Sequence, residues 1–313
     1  MSFAQDTFSV FYQKEKYFTG NKVKILKPLF NVKNENVLIF IVAGCNNSLK
    51  ALSWGMGSTV ETIENFIIQL PQTENGKIDY EFMETFVAKL QFRRVAELEA
   101  YLSATGLKDY TLTKEETEAY HSLFTHKSWG KYKLGDLFTK IKTNSLHYKT
   151  SDLPSVSDNI YCLPALTAGI QNQGLNNFVP YENATVLQNV ISISANGANT
   201  GATFYQSQKF TVLQDAYAIK WIYTNNKLTD KQYLFLTGSI SKAIYGTYEW
   251  TNKAGWERIK NNAIFLPQTE NGKIDFEYIE LLISAIQKIV IKNVVLYADK
   301  QIAKTQKVIN KNF

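Results

Sequence analysis

From Phe276 onward, apolar side chains return at Ile279, Leu282, Ile283, Ile286, Ile289, Val290, Leu296 and Tyr297. The interval is about 3.5 residues and no Gly or Pro interrupts it, so the pattern predicts one long helix over 276–311. A helix of about thirty residues is roughly 45 Å long. A second helix is expected over 80–106, with its stripe at Met83, Phe86, Val87, Leu90, Leu98 and Tyr101, interrupted by Arg93 and Arg94. The two are expected to pair as a coiled coil with Asn293 in the seam fixing register; packing of each helix on its own lobe is the alternative. Elsewhere the periodicity drops to two. Val186–Ser194, Thr203–Gln206 and Ala216–Tyr223 predict strands rich in aromatic and β-branched residues. The apolar run Val37–Gly44 predicts a buried strand, being far shorter than the ~20 residues a membrane helix needs. Asp230–Ile244 predicts a helix with Asp230 as N-cap and Tyr233, Leu234, Phe235, Leu236 and Ile240 as its apolar face. Thr113-Lys114-Glu115-Glu116 fits a capping box ahead of a short helix, Lys127–Lys131 a polar link, and Ala195–Gly201 a turn or loop. The mixture predicts an α+β fold: a globular mixed α/β lobe plus long helices.

The elements are duplicated. Leu70–Asp79 (LPQTENGKID) recurs unchanged at Leu266–Asp275, 196 positions later. Upstream, Phe11-Tyr12-Gln13 aligns with Phe204-Tyr205-Gln206, and Tyr17-Phe18-Thr19 with Lys209-Phe210-Thr211 after a one-residue gap. On this alignment Met1 falls near Ser194, so the first copy holds only the back half of a unit that the second holds whole, from about Trp129 to Leu266. The expected layout is a partial lobe over 1–79, a helix over 80–106, a short helix and linker over 107–128, a complete lobe over 129–275, and a helix over 276–311. Duplication predicts pseudo-symmetry, and duplex DNA is the commonest two-sided partner.

Composition adds little. Apolar residues at 45% and charged residues at 20% are ordinary for a soluble chain of about two domains. The N-terminus lacks a charged region followed by an apolar one, so no signal peptide and a cytoplasmic location are expected, with no membrane partner. Cys45 and Cys162 fit neither a disulfide framework nor a zinc site. The net charge of +6 comes almost wholly from lysine, the only arginines being Arg93, Arg94 and Arg258. Residues 129–266 carry 13 Lys/Arg against 8 Asp/Glu, a net of +5, which favours a polyanionic partner.

Catalytic patterns are missing. There is no nucleophile elbow, P-loop or dinucleotide fingerprint; Gly55-Met56-Gly57 lacks the third glycine. His121, His126 and His147 are expected on the surface or in loops, and no catalytic residue, metal site or cofactor is expected in this chain. What remains is an amide- and aromatic-rich surface. Candidate DNA contacts are Gln171, Asn172, Asn196, Asn199, Thr200 and Lys209, and a second cluster of Tyr245, Tyr248, Asn252 and Lys253. Asn and Gln can bond adenine in bidentate fashion, and lysine can reach guanine or phosphate. The bland alternative is that the amides are solvated turns and the aromatics are core.

Read together, three stretches resemble the specificity subunit of type I restriction–modification systems, with a truncated first target recognition domain. Trp129–Phe138 (WGKYKLGDLF) is similar to the opening of such a domain, Asn196–Gly201 with Phe204-Tyr205 to its central loop and strand, and Ile264–Pro267 with Gly272–Asp275 to its exit into a spacer helix. The same exit stands at Ile68–Pro71 and Gly76–Asp79. The resemblance covers most of residues 10–310. It implies two recognition domains held apart by long antiparallel coiled-coil spacer helices, each domain reading half of a split double-stranded DNA target. It also implies a subunit without catalysis of its own, docked to adenine methyltransferase (M) subunits using S-adenosylmethionine and to a restriction (R) subunit using ATP. The chain departs from that pattern in lacking a first-copy equivalent of Trp129 to about Ile193. A rearranged gene or internal start, a complementing fragment from a second polypeptide, and a rearranged compact remnant remain open, as does a homodimer on a palindromic site. A scaffold remnant without a working DNA site is the alternative function.

Overall fold

The computed structural model describes residues 1–32, 34–50, 65–125 and 127–309; Gly55-Met56-Gly57 and His126 lie outside them. The chain divides into two units: Met1–Lys108 with Asn293–Phe313, and Asp109–Lys292.

The first unit opens with β1 (Ser2–Ala4), β2 (Ser9–Phe11) and β3 (Val23–Ile25), an antiparallel sheet of order β2-β1-β3. Helix α1 (Glu35–Leu49) follows, then α2 (Tyr80–Ala104). The expected strand over Val37–Gly44 is thus a helix. An eight-residue apolar run is equally compatible with either element. Two local features decide it: the Asn34 side chain accepts from Asn36 N at 2.8 Å as an N-cap, and Val37 and Ile41 are buried one turn apart. Asn46 on α1 clamps β2 by bonding both Val10 N (2.7 Å) and Val10 O (2.9 Å). Phe40 packs edge-on against Phe82 and Phe86 of α2. Along α2 only Met83, Val87 and Leu102 are buried; Phe86, Leu90 and Tyr101 of the expected stripe are exposed.

The second unit begins with α3 (Lys114–Ser122), which carries the expected capping box: Thr113 Oγ1 accepts from Glu116 N, and Glu116 Oε2 from Thr113 N. Then come β4 (Trp129–Lys133), a single turn α4 (Leu134–Leu137), β5 (Phe138–Lys140), β6 (Leu163–Leu166), β7 (Leu175–Val179), β8 (Val190–Ser194), β9 (Thr203–Gln206), β10 (Thr211–Val212), β11 (Ala216–Trp221), α5 (Asp230–Ile244), α6 (Trp256–Ile259), β12 (Ala263–Pro267) and α7 (Phe276–Ile309). From Asn293 onward α7 belongs to the first unit. The expected polar link therefore ends in a strand, because β4 pairs antiparallel with β12, Trp129 opposite Pro267 and Lys133 opposite Ala263. The cap of α5 is Thr229, not Asp230: its hydroxyl accepts from Gln232 N while Gln232 Oε1 accepts from Thr229 N.

The central sheet has the order β5-β11-β8-β9, beside a smaller sheet β10-β6-β7. Under the central sheet, Leu134, Leu137 and Phe138 meet Ile191, Ile193 and Ile219 from the strands, Leu236, Ile240 and Ile244 from α5, and Ile264 and Leu266 from β12. Helix α7 starts on this core through Ile279 and carries α3 through Leu282 and the Tyr278 hydroxyl, which donates to Ala119 O. Buried Glu116 of α3 accepts from Ser284 (2.7 Å) and Lys288 (2.9 Å) of α7. Asn293, expected in a seam, is exposed. Among the described residues no helix is long and apolar enough to cross a membrane, and no group of three His, Cys, Asp or Glu suits a metal ion.

The two sheets correspond. The order β2-β1-β3 repeats β9-β8-β11, with Phe3 paired to Val10 and Lys24 as Ile193 is to Thr203 and Tyr217. Gln13 Nε2 donates to Ser2 Oγ at 3.0 Å, as Gln206 Nε2 does to Ser192 Oγ at 3.0 Å. Helix α1, capped by Asn34, stands where α5, capped by Thr229, stands.

Candidate nucleic-acid interface

Two loops of the second unit are tied together beyond one end of the central sheet. The first, 195–202, joins β8 to β9 and bends at Gly197 (φ +74°) and Gly201 (φ +88°). A Cβ on Gly201 would sit 3.0 Å from Ile244 O, so glycine there serves both the left-handed backbone and the close approach to the end of α5. The second loop, 245–255, leaves α5. Thr200 Oγ1 accepts from Ala254 N at 3.0 Å, and the Tyr217 hydroxyl donates to Ala254 O at 2.8 Å, so the backbone of one residue is held at both its N–H and its C=O. Burial, then the neighbouring Tyr248, pushes the Tyr217 hydroxyl well above the usual tyrosine range, which keeps it a donor.

This tie sorts the expected contacts. Thr200, 2% exposed, spends its hydroxyl inside the protein, where it holds the two loops together. Half-buried Tyr248 likewise donates to Asn262 Oδ1 at 2.8 Å. Asn196 donates to Asp215 Oδ1 at 2.7 Å. Half-buried Asn199 and exposed Tyr245, Asn252 and Lys253 come together on the tied loops. Arg258 Nη1 donates to Asn252 Oδ1 (2.8 Å) and Lys253 O (3.3 Å). A concavity of about 330 Å³ opens here, lined by Lys140, Thr251, Lys253, Gly255, Trp256, Glu257 and Arg258. Three cations thus face one carboxylate, and Glu257 already pairs with Lys260 at 2.5 Å. Lys140 lies over the Tyr217 ring at 5.3 Å.

Gln171 and Asn172 form a separate group. They sit exposed on a 3-10 turn, Gln171–Gly174, with Asn172 at φ +46° and bonded to Asn176 Oδ1 at 3.2 Å. Gln206, the last residue of β9, bonds Gln173 O, and exposed Lys209 follows three residues on. The Asn199 group adjoins the start of β9 and the Gln171 group its end, about 10 Å apart along a four-residue strand. Sequence reasoning missed Lys140 and Arg258 as site residues. Arg258 is the only arginine in 129–266, a usable signal; Lys140 reaches the site only because β5 pairs with β11. His121 and His147 are exposed. A larger groove of about 710 Å³, lined by Leu123, Trp129, Leu234, Phe235, Phe265 and Ile283 among others, is mainly apolar and ill suited to phosphate.

The model of the type I restriction modification DNA specificity domain matches residues 2–100 and 126–297. Over 283 residues the chain is 22% identical to the Type II restriction enzyme BgcI specificity subunit S.BcgI of Heyndrickxia coagulans, covering 90% of this chain and 75% of that protein. It is also similar to the solved S subunit of a type I restriction–modification system from M. genitalium, at 12% identity and a TM-score of 0.49 over 95% of this chain and 76% of that one. The HsdS subunit of Thermoanaerobacter tengcongensis is similar at 17% identity and a TM-score of 0.34, over 83% and 64% of the two chains.

Proposed function

Because the chain belongs to the type I restriction modification DNA specificity family, we propose that its second unit reads one half of a split double-stranded DNA target for a restriction–modification complex. The family's role is to specify the DNA sequence, so methylation and cleavage fall to partner subunits. In this reading adenine methyltransferase subunits bring S-adenosylmethionine, and a restriction subunit brings ATP. Helices α2 and α7, 25 and 34 residues long, act as the paired spacers that set the distance between half-sites. A second chain, as a homodimer partner or a complementing fragment, supplies the other reading lobe.

One observation carries the proposal: the cation-lined concavity of Lys140, Lys253 and Arg258 lies beside a rim of amides and aromatics. Cations neutralise phosphates and fix the lobe on the duplex, while Asn199 and Asn252 on the tied loops read base edges. Gln171, Asn172 and Lys209 extend the footprint by about three base steps, given the ~10 Å length of β9 and the ~3.4 Å rise per base pair. Binding to a specific duplex should weaken with salt with a log–log slope of about −2.7 from these three cations. Lys140→Ala should reduce that slope by about 1 without changing sequence preference. A slope near zero, or binding that ignores sequence, would support the scaffold reading.

A further inference from the structure

The intact second unit supplies what the first leaves open. There β12 is paired along five residues with β4, β11 is paired with β5, and the turn between β4 and β5 seats Leu134, Leu137 and Phe138 in the core at 1% exposure or less. In the first unit, residues 67–71 are the counterparts of β12; they carry no strand, and Ile67 is 85% exposed. Among the described residues no strand pairs with the outer edge of β3, the counterpart of β11, and Ile25 is 56% exposed. Between these edges lies an apolar cavity of about 190 Å³, walled by Phe3, Leu26, Cys45, Leu49 and Ile68. By the register and repeat, these five stand where Ile193, Ile219, Ile240, Ile244 and Ile264 stand. Those five isoleucines enclose Leu134, Leu137 and Phe138. Cavity and edges together match the outline of one segment of the Trp129–Lys140 kind.

We propose that the first unit is a docking site for a strand–turn–strand segment of the Trp129–Lys140 pattern, additional to the one that these 313 residues hold. One strand adds along 67–71, the other along β3, and two leucines and an aromatic fill the cavity. Added strands satisfy the open backbone groups, and the apolar knobs supply specificity. A second copy of this chain is a poor donor: within these 313 residues the pattern occurs once, and there its leucines are fully buried in their own lobe, which donation would unfold. The inference rests on the internal repeat and not on DNA reading.

The test measures backbone hydrogen exchange in the full chain, alone, with a synthetic peptide of the Trp129–Lys140 sequence, and with that segment tethered ahead of Met1 by a flexible linker. Exchange over 23–26 and 66–71 should slow about tenfold or more, with 263–267 unchanged. A peptide carrying Leu134→Asp and Leu137→Asp should have no effect. No slowing in the tethered form, or equal slowing with the doubly substituted peptide, would overturn the proposal. Protection of 66–71 already present in the chain alone, together with a dimeric mass, would assign the surface to a second copy instead. The readout needs no DNA, so its failure leaves the DNA-reading proposal standing.

Discussion

The repeated decapeptide folds the same way in both units. Thr73 N–Lys77 O and Thr269 N–Lys273 O are both 2.8 Å, Asp79 N–Pro71 O and Asp275 N–Pro267 O both 2.9 Å, and Gly76 and Gly272 take φ of +70° and +72°. Each aspartate then caps its helix, Asp79 accepting from Phe82 N and Asp275 from Tyr278 N. Yet Ile78 is 37% exposed and Ile274 only 6%. Asp275 further holds Lys127 at 2.5 Å. Ten residues are enough to specify a turn and a cap; whether that turn is buried depends on the strands that the front half of a lobe contributes, and in these 313 residues only the second copy has them.

The strongest way to break the contrast is to remove a knob of the turn between β4 and β5. Leu137→Ala should cost the second unit about 3 kcal/mol, read by denaturant unfolding, and should bring exchange at 263–267 towards that of 67–71. A cost under about 1 kcal/mol would mean that the turn is not what completes the core. Next comes the tie between the two loops. Thr200→Val leaves the Ala254 N–H without an acceptor and should cost about 2 kcal/mol while weakening DNA binding; Thr200→Ser should restore both.

A smaller effect separates the two aspartates. Asp79→Ala removes a helix cap worth about 1 kcal/mol, whereas Asp275→Ala also removes a charge-assisted bond and should cost about 2 kcal/mol. Burial pushes the Asp275 carboxyl up, but Lys127 and the Tyr278 amide outweigh it and hold it below the usual range. Its folded value is therefore depressed, so its contribution is complete above the ordinary carboxylate value of about 4 and is lost as pH falls through the folded one. Glu116 follows the same sign: burial raises it, and Thr113 N–H, Lys288 and Ser284 lower it further. Lys127→Met should shrink the acid-dependent loss of stability; an unchanged acid profile would remove Asp275 from the account.

Much of the second lobe was legible locally. Thr203–Gln206 and Asp230–Ile244 were bounded correctly because alternation and helical periodicity were uninterrupted there. The Val186 strand starts four residues late, after Asn189 takes φ +53°. Val37–Gly44 misled because an apolar run has no period, although carrying the repeat through would have set it against α5. On the tied loops, side-chain type could not separate half-buried Asn199 and exposed Asn252 and Lys253 from Thr200 and Tyr248, whose hydroxyls are consumed by partners more than ten residues away. Lys140 was invisible for the same reason: strand pairing, not spacing, brings it in.

Selection from a random duplex pool with the full chain tests the central claim most directly. The account predicts enrichment of one fixed short sequence, with preference at some of its positions flattened by Asn199→Ala and Asn252→Ala and with uniformly weaker recovery for Lys140→Ala. A selected pool with no fixed sequence, or one unchanged by all three substitutions, would contradict it.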